Sequence, residues 1–264
     1  MKRVVTAAVL TPLIVAAILV APLWLFTAIV TLIALFCFYE YSSIAEHHGI
    51  RPPGVFGYVA GLLVLLAPKV DFAVIVALAV IALCLSLRWN DLSECLPWVG
   101  GLLVGVTYIF GCWRFALELH AVGHRWLLFA VSLSWAGDIA AYYIGRRFGR
   151  HRLAPRASPN KSWEGSIASV LASVGYAALY FLWVFPRCGL PYFTVLGIAA
   201  VGNVAGQMGD LAESALKRGA GLKDSSQLLP GHGGWLDRVD SSLFTMPTVY
   251  LLVTWLLHRA PAGY

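Results

Sequence analysis

Three aspartates, Asp224, Asp237 and Asp240, stand in the stretch KDSSQLLPGHGGWLDRVDSS at 223–242, interleaved with Lys223, His232, Arg238 and a glycine-rich turn. Carboxylate oxygens are hard ligands suited to Mg2+, which takes a few carboxylates and completes its shell with water and substrate phosphates. The cations suit the phosphates themselves. So do backbone N–H groups left open by Gly231, Gly233 and Gly234, since glycine lets the chain approach an anion closely. His232, flanked by glycines, suits phosphate contact or support of the turn better than metal ligation. Asp240 is a candidate ligand, and either it or Ser241 can cap the following helix.

Upstream, GNVAGQMGDLAESALKR at 202–218 places Asn203, Gln207, Asp210, Ser214 and Lys217 at alternating steps of four and three. That is the helical period, so one polar stripe runs down one face. Asp210 on that stripe joins the candidate metal ligands. Gly202, Gly206 and Gly209 are small residues that let another helix pack closely. A second polar loop reads GRRFGRHRLAPRASPNKSWEGS at 145–166. There Pro159 is expected to set a turn and Ser162 to cap a helix beginning at Trp163. Lys161 is then a cation beside a helix N-terminus, a setting that favours phosphate. Asp138 lies inside an apolar segment, where an ionisable group is costly and usually functional, and it is a further candidate ligand. Together these residues point to metal-assisted phosphoryl or nucleotidyl chemistry and leave the substrate open.

The elements that must carry them are apolar. Of the 264 residues 59% are hydrophobic and 12% charged, with a mean hydropathy of +0.77. Soluble domains carry about 25% charged residues, so this excess of apolar surface must face lipid. The expectation is an all-α polytopic membrane protein with about nine transmembrane helices, near 4–21, 23–39, 55–68, 71–87, 97–116, 125–144, 165–184, 191–213 and 242–258. Met1-Lys2-Arg3 precedes the first, and the absence of a small-x-small cleavage site after it favours a retained span. With the N-terminus cytoplasmic, fourteen of the nineteen Lys and Arg residues fall on the inner side and five outside. The positive-inside rule therefore favours N-inside and C-outside, with both polar loops in the cytoplasm. The net charge of +6 is explained by this asymmetry and by anionic headgroups, without nucleic acid. Five scattered cysteines with no CxxC spacing argue against zinc or a disulfide framework and read as buried small hydrophobes. No linker divides the chain, so a single integral membrane domain is expected. Helices of 1–124 would precede a region, 125–264, that bears the active site.

The loop residues carry a resemblance. Ser214, Lys217-Arg218, Lys223-Asp224, Pro230 to Gly234, Asp237-Arg238 and Asp240 closely resemble the signature of the CDP-diacylglycerol synthase (phosphatidate cytidylyltransferase) family. Gly206 to Asp210, the SPNKSWEG loop, the Asp138 segment with Gly145-Arg146, and the start RVVTAAVLTPLIV resemble it too. Ser226 departs from the glycine usual there, and Asn160 and Ser162 replace the commoner Lys and Thr. The resemblance implies transfer of a cytidylyl group from CTP to phosphatidate at the cytoplasmic face of the cell membrane, in phospholipid synthesis. It implies Mg2+ or Mn2+, with a monovalent cation as an optional second ion, at Asp210, Asp237, Asp224, Asp240 and Asp138. Lys217, Lys223, Arg238, Lys161 and Ser214 would be catalytic. Ser158, Lys161, Arg218, His232, Gly233 and Gly234 would bind substrate. A homodimer is compatible with the resemblance and the glycine-rich faces. Two other readings stay open: a related nucleotidyl- or phosphotransferase acting on another lipid phosphate, and an anionic-solute transporter. The transporter predicts repeated halves, and the sequence shows no convincing repeat.

Overall fold

A computed structural model describes residues 2–185, 188–229 and 233–259. The regular structure of the described residues is helical, apart from one small hairpin and an isolated bridge between Leu229 and Gly233. Its helices are α1 (Lys2–Val20), α2 (Leu23–His47), α3 (Gly54–Leu66), α4 (Phe72–Ser86), α5 (Cys95–Gly105), α6 (Cys112–Phe148), α7 (Trp163–Trp183), α8 (Tyr192–Gly219) and α9 (Leu236–Arg259). A π-helical turn, Val106–Gly111, joins α5 to α6. Strands β1 (Arg152–Ala154) and β2 (Ser158–Ser162) pair antiparallel.

Among the described residues, four helical stretches are long and apolar enough to cross a membrane: Leu23–His47, Leu92–Phe148, Trp163–Trp183 and Tyr192–Gly219. Shorter apolar helices cover Thr11–Val20, Gly54–Leu66 and Phe72–Ser86. Large apolar side chains such as Trp24, Val55, Phe72, Leu96, Trp183 and Phe193 point outward. Surface of that kind suits lipid and not water, so the architecture is that of an all-α membrane protein. The segments expected at 97–116 and 125–144 fall in one helical run. They are separated within it only at Gly123, whose φ of 161° and ψ of 122° interrupt the helix. The polar loop expected over 214–241 is shorter than its composition implied. Helix α8 continues to Gly219 and α9 already starts at Leu236, so Ser214, Lys217 and Arg218 stand on one helix and Asp237, Arg238 and Asp240 on the other.

The chain forms two compact units. The first comprises 1–21, 115–215 and 239–264, and the second 22–114 and 216–238. In the first, Trp126, Phe129, Tyr180 and Phe185 form an aromatic core. The Tyr180 hydroxyl donates to the Arg125 carbonyl at 2.9 Å, and Arg125 donates to the Val184 carbonyl at 3.1 Å. The glycines of α8 form the seat for α9. A Cβ on Gly206 would lie 2.6 Å from the Thr245 hydroxyl, and one on Gly209 would lie 2.7 Å from the Asp240 carbonyl. In the second unit, Phe38 packs on Tyr58 and Phe110. The Phe110 ring fills the place of a side chain at Gly61. Arg114 donates to the Val64 and Ala67 carbonyls at 3.1 and 2.6 Å, satisfying acceptors left over at the end of α3.

Two local expectations are corrected. Pro159 lies within β2, and the turn is made by Pro155, Arg156 and Ala157. Each strand of a two-stranded ribbon is an edge strand, so a proline without N–H is tolerated there. Of the cysteines, which are all free, Cys37 alone is buried and Cys84 is exposed on the apolar helix α4. In a chain that faces lipid, an apolar side chain need not be inside.

Candidate active site

In the first unit the polar stripe of α8 finds partners at every step. Asn203 is buried and donates to the Ser169 and Ser173 hydroxyls at 3.0 and 2.8 Å. Gln207 donates to Asn203 at 2.7 Å and accepts from the Ser166 hydroxyl at 2.5 Å. Asp210 is ion-paired with Lys161 and accepts from the Ser214 hydroxyl at 3.3 Å. Lys161 is delivered by the strand that runs into α7. As expected, Ser162 caps α7, accepting from the Gly165 N–H at 3.2 Å.

Of these residues Lys161, Ser162, Ser166, Gln207 and Asp210 line a cavity of about 630 Å³ together with Arg146, Arg152, Asn160 and Asp138. The volume is in the range that holds a drug- or nucleotide-sized ligand. Its walls mix apolar surface from Tyr142 and Leu153 with three cations and two carboxylates. Gly137 on α6 allows close approach to α8, since a Cβ there would lie 2.2 Å from the Asn203 amide nitrogen. Asp138 is exposed and lines this cavity, while Ser158 is half-buried at the start of β2.

Asp240 follows in the first turns of α9, ahead of the apolar segment at 242–258. Burial, then the facing charge of Asp210 and the charge of Asp138, push its carboxyl up to about 7. Its oxygen accepts from the Ser241 N–H at 2.7 Å. The expected cap by Asp240 or Ser241 is therefore corrected. Helix α9 begins four residues before Asp240, so both residues are already helical.

In the second unit Lys217 is buried and ion-paired with Asp237. The other oxygen of Asp237 accepts from the Ser225 N–H and hydroxyl, both at 3.0 Å, and from the Gly234 N–H at 2.8 Å. Burial raises the Asp237 pKa, but Lys217 and these donors outweigh it and hold the carboxyl below its ordinary value. Gly233 has a φ of +79°, and a Cβ there would lie 2.5 Å from the Asp237 carboxylate. The turn thus needs glycine on both counts. Lys223, Asp224 and Arg238 are exposed. Arg218 donates to the Leu222 carbonyl at 3.2 Å and so closes the end of α8. His232, with Pro230 and Gly231, lies outside the described residues.

One residue of this unit escaped the sequence reading. Glu40 on α2 is fully buried and accepts from the Ser225 hydroxyl (2.9 Å), the Ser226 hydroxyl (2.6 Å), the Trp235 N–H (2.9 Å) and the Leu236 N–H (2.7 Å). The signal was available, because an acid within an apolar segment is costly wherever it falls. The rule that singled out Asp138 applies equally to Glu40. The network also explains Ser226, whose hydroxyl binds Glu40 and accepts from the Leu228 N–H at 3.1 Å. Its φ is not positive, so a side chain causes no backbone strain there.

Three cations and two carboxylates thus line one polar cavity among helices of membrane type. The model of the cytidylyltransferase family matches residues 1–256, and the chain belongs to that family. It is 38% identical over 158 residues to a phosphatidate cytidylyltransferase of Bacillus subtilis, covering 59% of this chain and 58% of that one. It is 39% identical over 153 residues to one of Staphylococcus aureus, covering 57% of each. A third, of Staphylococcus epidermidis, is 37% identical over 163 residues, with 62% of this chain and 59% of that one covered. These alignments span less than two thirds of the relatives' length.

Proposed function

We propose that the chain transfers the cytidylyl group of CTP to phosphatidate at the cytoplasmic face of the membrane, giving CDP-diacylglycerol and diphosphate. The observation that carries this reading is the cavity walled by Lys161, Arg146, Arg152 and Asp210. It combines cations for phosphates with an acid that hard cations favour. A phosphatidate oxygen attacks the α-phosphorus of CTP, and the bond from that phosphorus to the β-bridging oxygen breaks. Phosphatidate already carries an ionised oxygen, so no general base is required. Catalysis is then positioning and charge stabilisation, as in phosphoryl transfer generally.

The donor set fits a divalent cation at Asp210 and Asp240, two half-buried carboxylates, the charge of Asp210 being close enough to help raise the Asp240 carboxyl. Among the described residues no three His, Cys, Asp or Glu come together so as to hold a metal ion by themselves, so waters and substrate phosphates would have to complete the shell of any ion here. When bound, such an ion would neutralise phosphate charge and stabilise the departing diphosphate. Asp237 is the weaker candidate, because its oxygens already accept from Lys217, Ser225 and Gly234. Lys161, which lines the cavity, is assigned to substrate phosphate. The inner-side excess of Lys and Arg supports the cytoplasmic orientation.

The test is incubation of the purified chain with labelled CTP, Mg2+ and phosphatidate or another lipid phosphate. A lipid-soluble nucleotide formed with phosphatidate supports the reading. Product with another lipid phosphate alone replaces the acceptor, and none with any lipid overturns the reading.

A further inference from the structure

We infer that Glu40 is the positioning residue for Ser225 and Ser226 and for Trp235 and Leu236, a role that rests on the nucleotidyl-transfer reading of the same loop. Glu40 stands on α2, 185 positions before Ser225, and has no exposed surface. A carboxylate offers about four lone-pair sites. Here the hydroxyls of Ser225 and Ser226 and the backbone N–H groups of Trp235 and Leu236 take them. One N–H belongs to Leu236, the first residue of α9, and the other to Trp235 just before it, at a helix end that has donors without intrahelical partners and favours negative charge.

The consequence for the reaction runs through Ser225. Its hydroxyl lies 2.9 Å from a Glu40 oxygen and 3.0 Å from an Asp237 oxygen, so its single proton is shared between two carboxylates. Asp237 in turn holds Lys217. A shift of Glu40 therefore moves the Asp237–Lys217 pair. Gly234 completes the clamp, since a Cβ there would lie 2.4 Å from the Glu40 oxygen and 2.1 Å from the Ser225 hydroxyl. Ser226 adds a donor that glycine at this position would not supply.

The sharp variant is Glu40→Gln, nearly equal in shape. Its amide nitrogen must face donors, so the clamp cannot reform. The full chain in detergent should show kcat lower by ~100-fold, with KM for CTP within ~3-fold of wild type. Trypsin should cut after the exposed Lys223 at least ~10-fold faster, while cleavage after Arg156 in the hairpin turn stays unchanged. Ser226→Ala, which removes one donor, should lower kcat ~3-fold and have no further effect in the Glu40→Gln background, as expected for residues in one network. If Glu40→Gln yields no folded protein, Ser226→Ala decides alone. Wild-type kcat and wild-type cleavage in these variants would overturn the inference. So would equal loss through KM, or independent addition of the two substitutions. Wild-type protein without transferase activity would remove the reaction assigned above, and the cleavage rates would still decide whether Glu40 holds the loop.

Discussion

Lys217 and Asp237 are buried together as an ion pair between the last turn of α8 and the first turn of α9. Removing one partner leaves the other charge buried without compensation, which costs about 3–5 kcal/mol in stability. Lys217→Met should therefore lower the melting temperature in detergent more than Lys217→Met with Asp237→Asn. Equal melting temperatures for the single variant and wild type would show that the pair is not buried in solution.

Divalent-ion dependence separates the aspartates. Asp210→Asn should raise the Mg2+ concentration for half-maximal activity by ~10-fold or more and lower the maximal rate. Asp237→Asn should cut the rate by ~100-fold with its Mg2+ half-saturation close to wild type, since its oxygens serve Lys217, Ser225 and Gly234. A large Mg2+ shift in Asp237→Asn, and none in Asp210→Asn, would reverse the assignment.

Lys161 faces the cavity from β2 and meets Asp210. Lys161→Ala should reduce kcat/KM for CTP by ~100-fold or more, because a cation placed against a developing phosphate charge acts mainly in the transition state. Titration of product formation against CTP in the purified variant checks this.

The Asp240 carboxyl gives a pH dependence of definite sign. Its folded value, about 7, exceeds the ordinary value of 3.8. It therefore contributes stability that is fully present below about 4 and is lost as pH rises through 7. Without divalent ions, Asp240→Asn should melt at a higher temperature than wild type at pH 8, and the difference should vanish near pH 4. A constant difference across that range would contradict the assignment.

Close packing of α8 and α9 sets a further expectation. Gly209→Ala places a Cβ 2.7 Å from a backbone carbonyl, which cannot swing away as a side chain can. A loss of about 1–3 kcal/mol is expected, read as a lower melting temperature. Gly175→Ala, where nothing lies within 4 Å, is the control.

Much of this was legible from residue order. The helical step of Asn203, Gln207, Asp210, Ser214 and Lys217 marked a polar face, and each member is bonded on that face. Ser162 caps α7 as its type and position suggest. What periodicity could not give was Glu40, because a contact across 185 positions leaves no local pattern. Helix ends were also misplaced. Charged residues at 214–219 and 236–241 look like loop by hydropathy, yet the backbone stays helical where ion pairs and loop N–H groups satisfy them. The hairpin was missed because β1 and β2 are short and a proline sits in the second.

The central claim is tested most directly by the position of the label in CTP. The chain, phosphatidate and Mg2+ are incubated with CTP labelled at the α-phosphorus or at the γ-phosphorus. Transfer of a cytidylyl group predicts lipid-soluble label from the first alone, with diphosphate released in equal amount. Lipid-soluble label from the γ-phosphorus, or none from either, would contradict it.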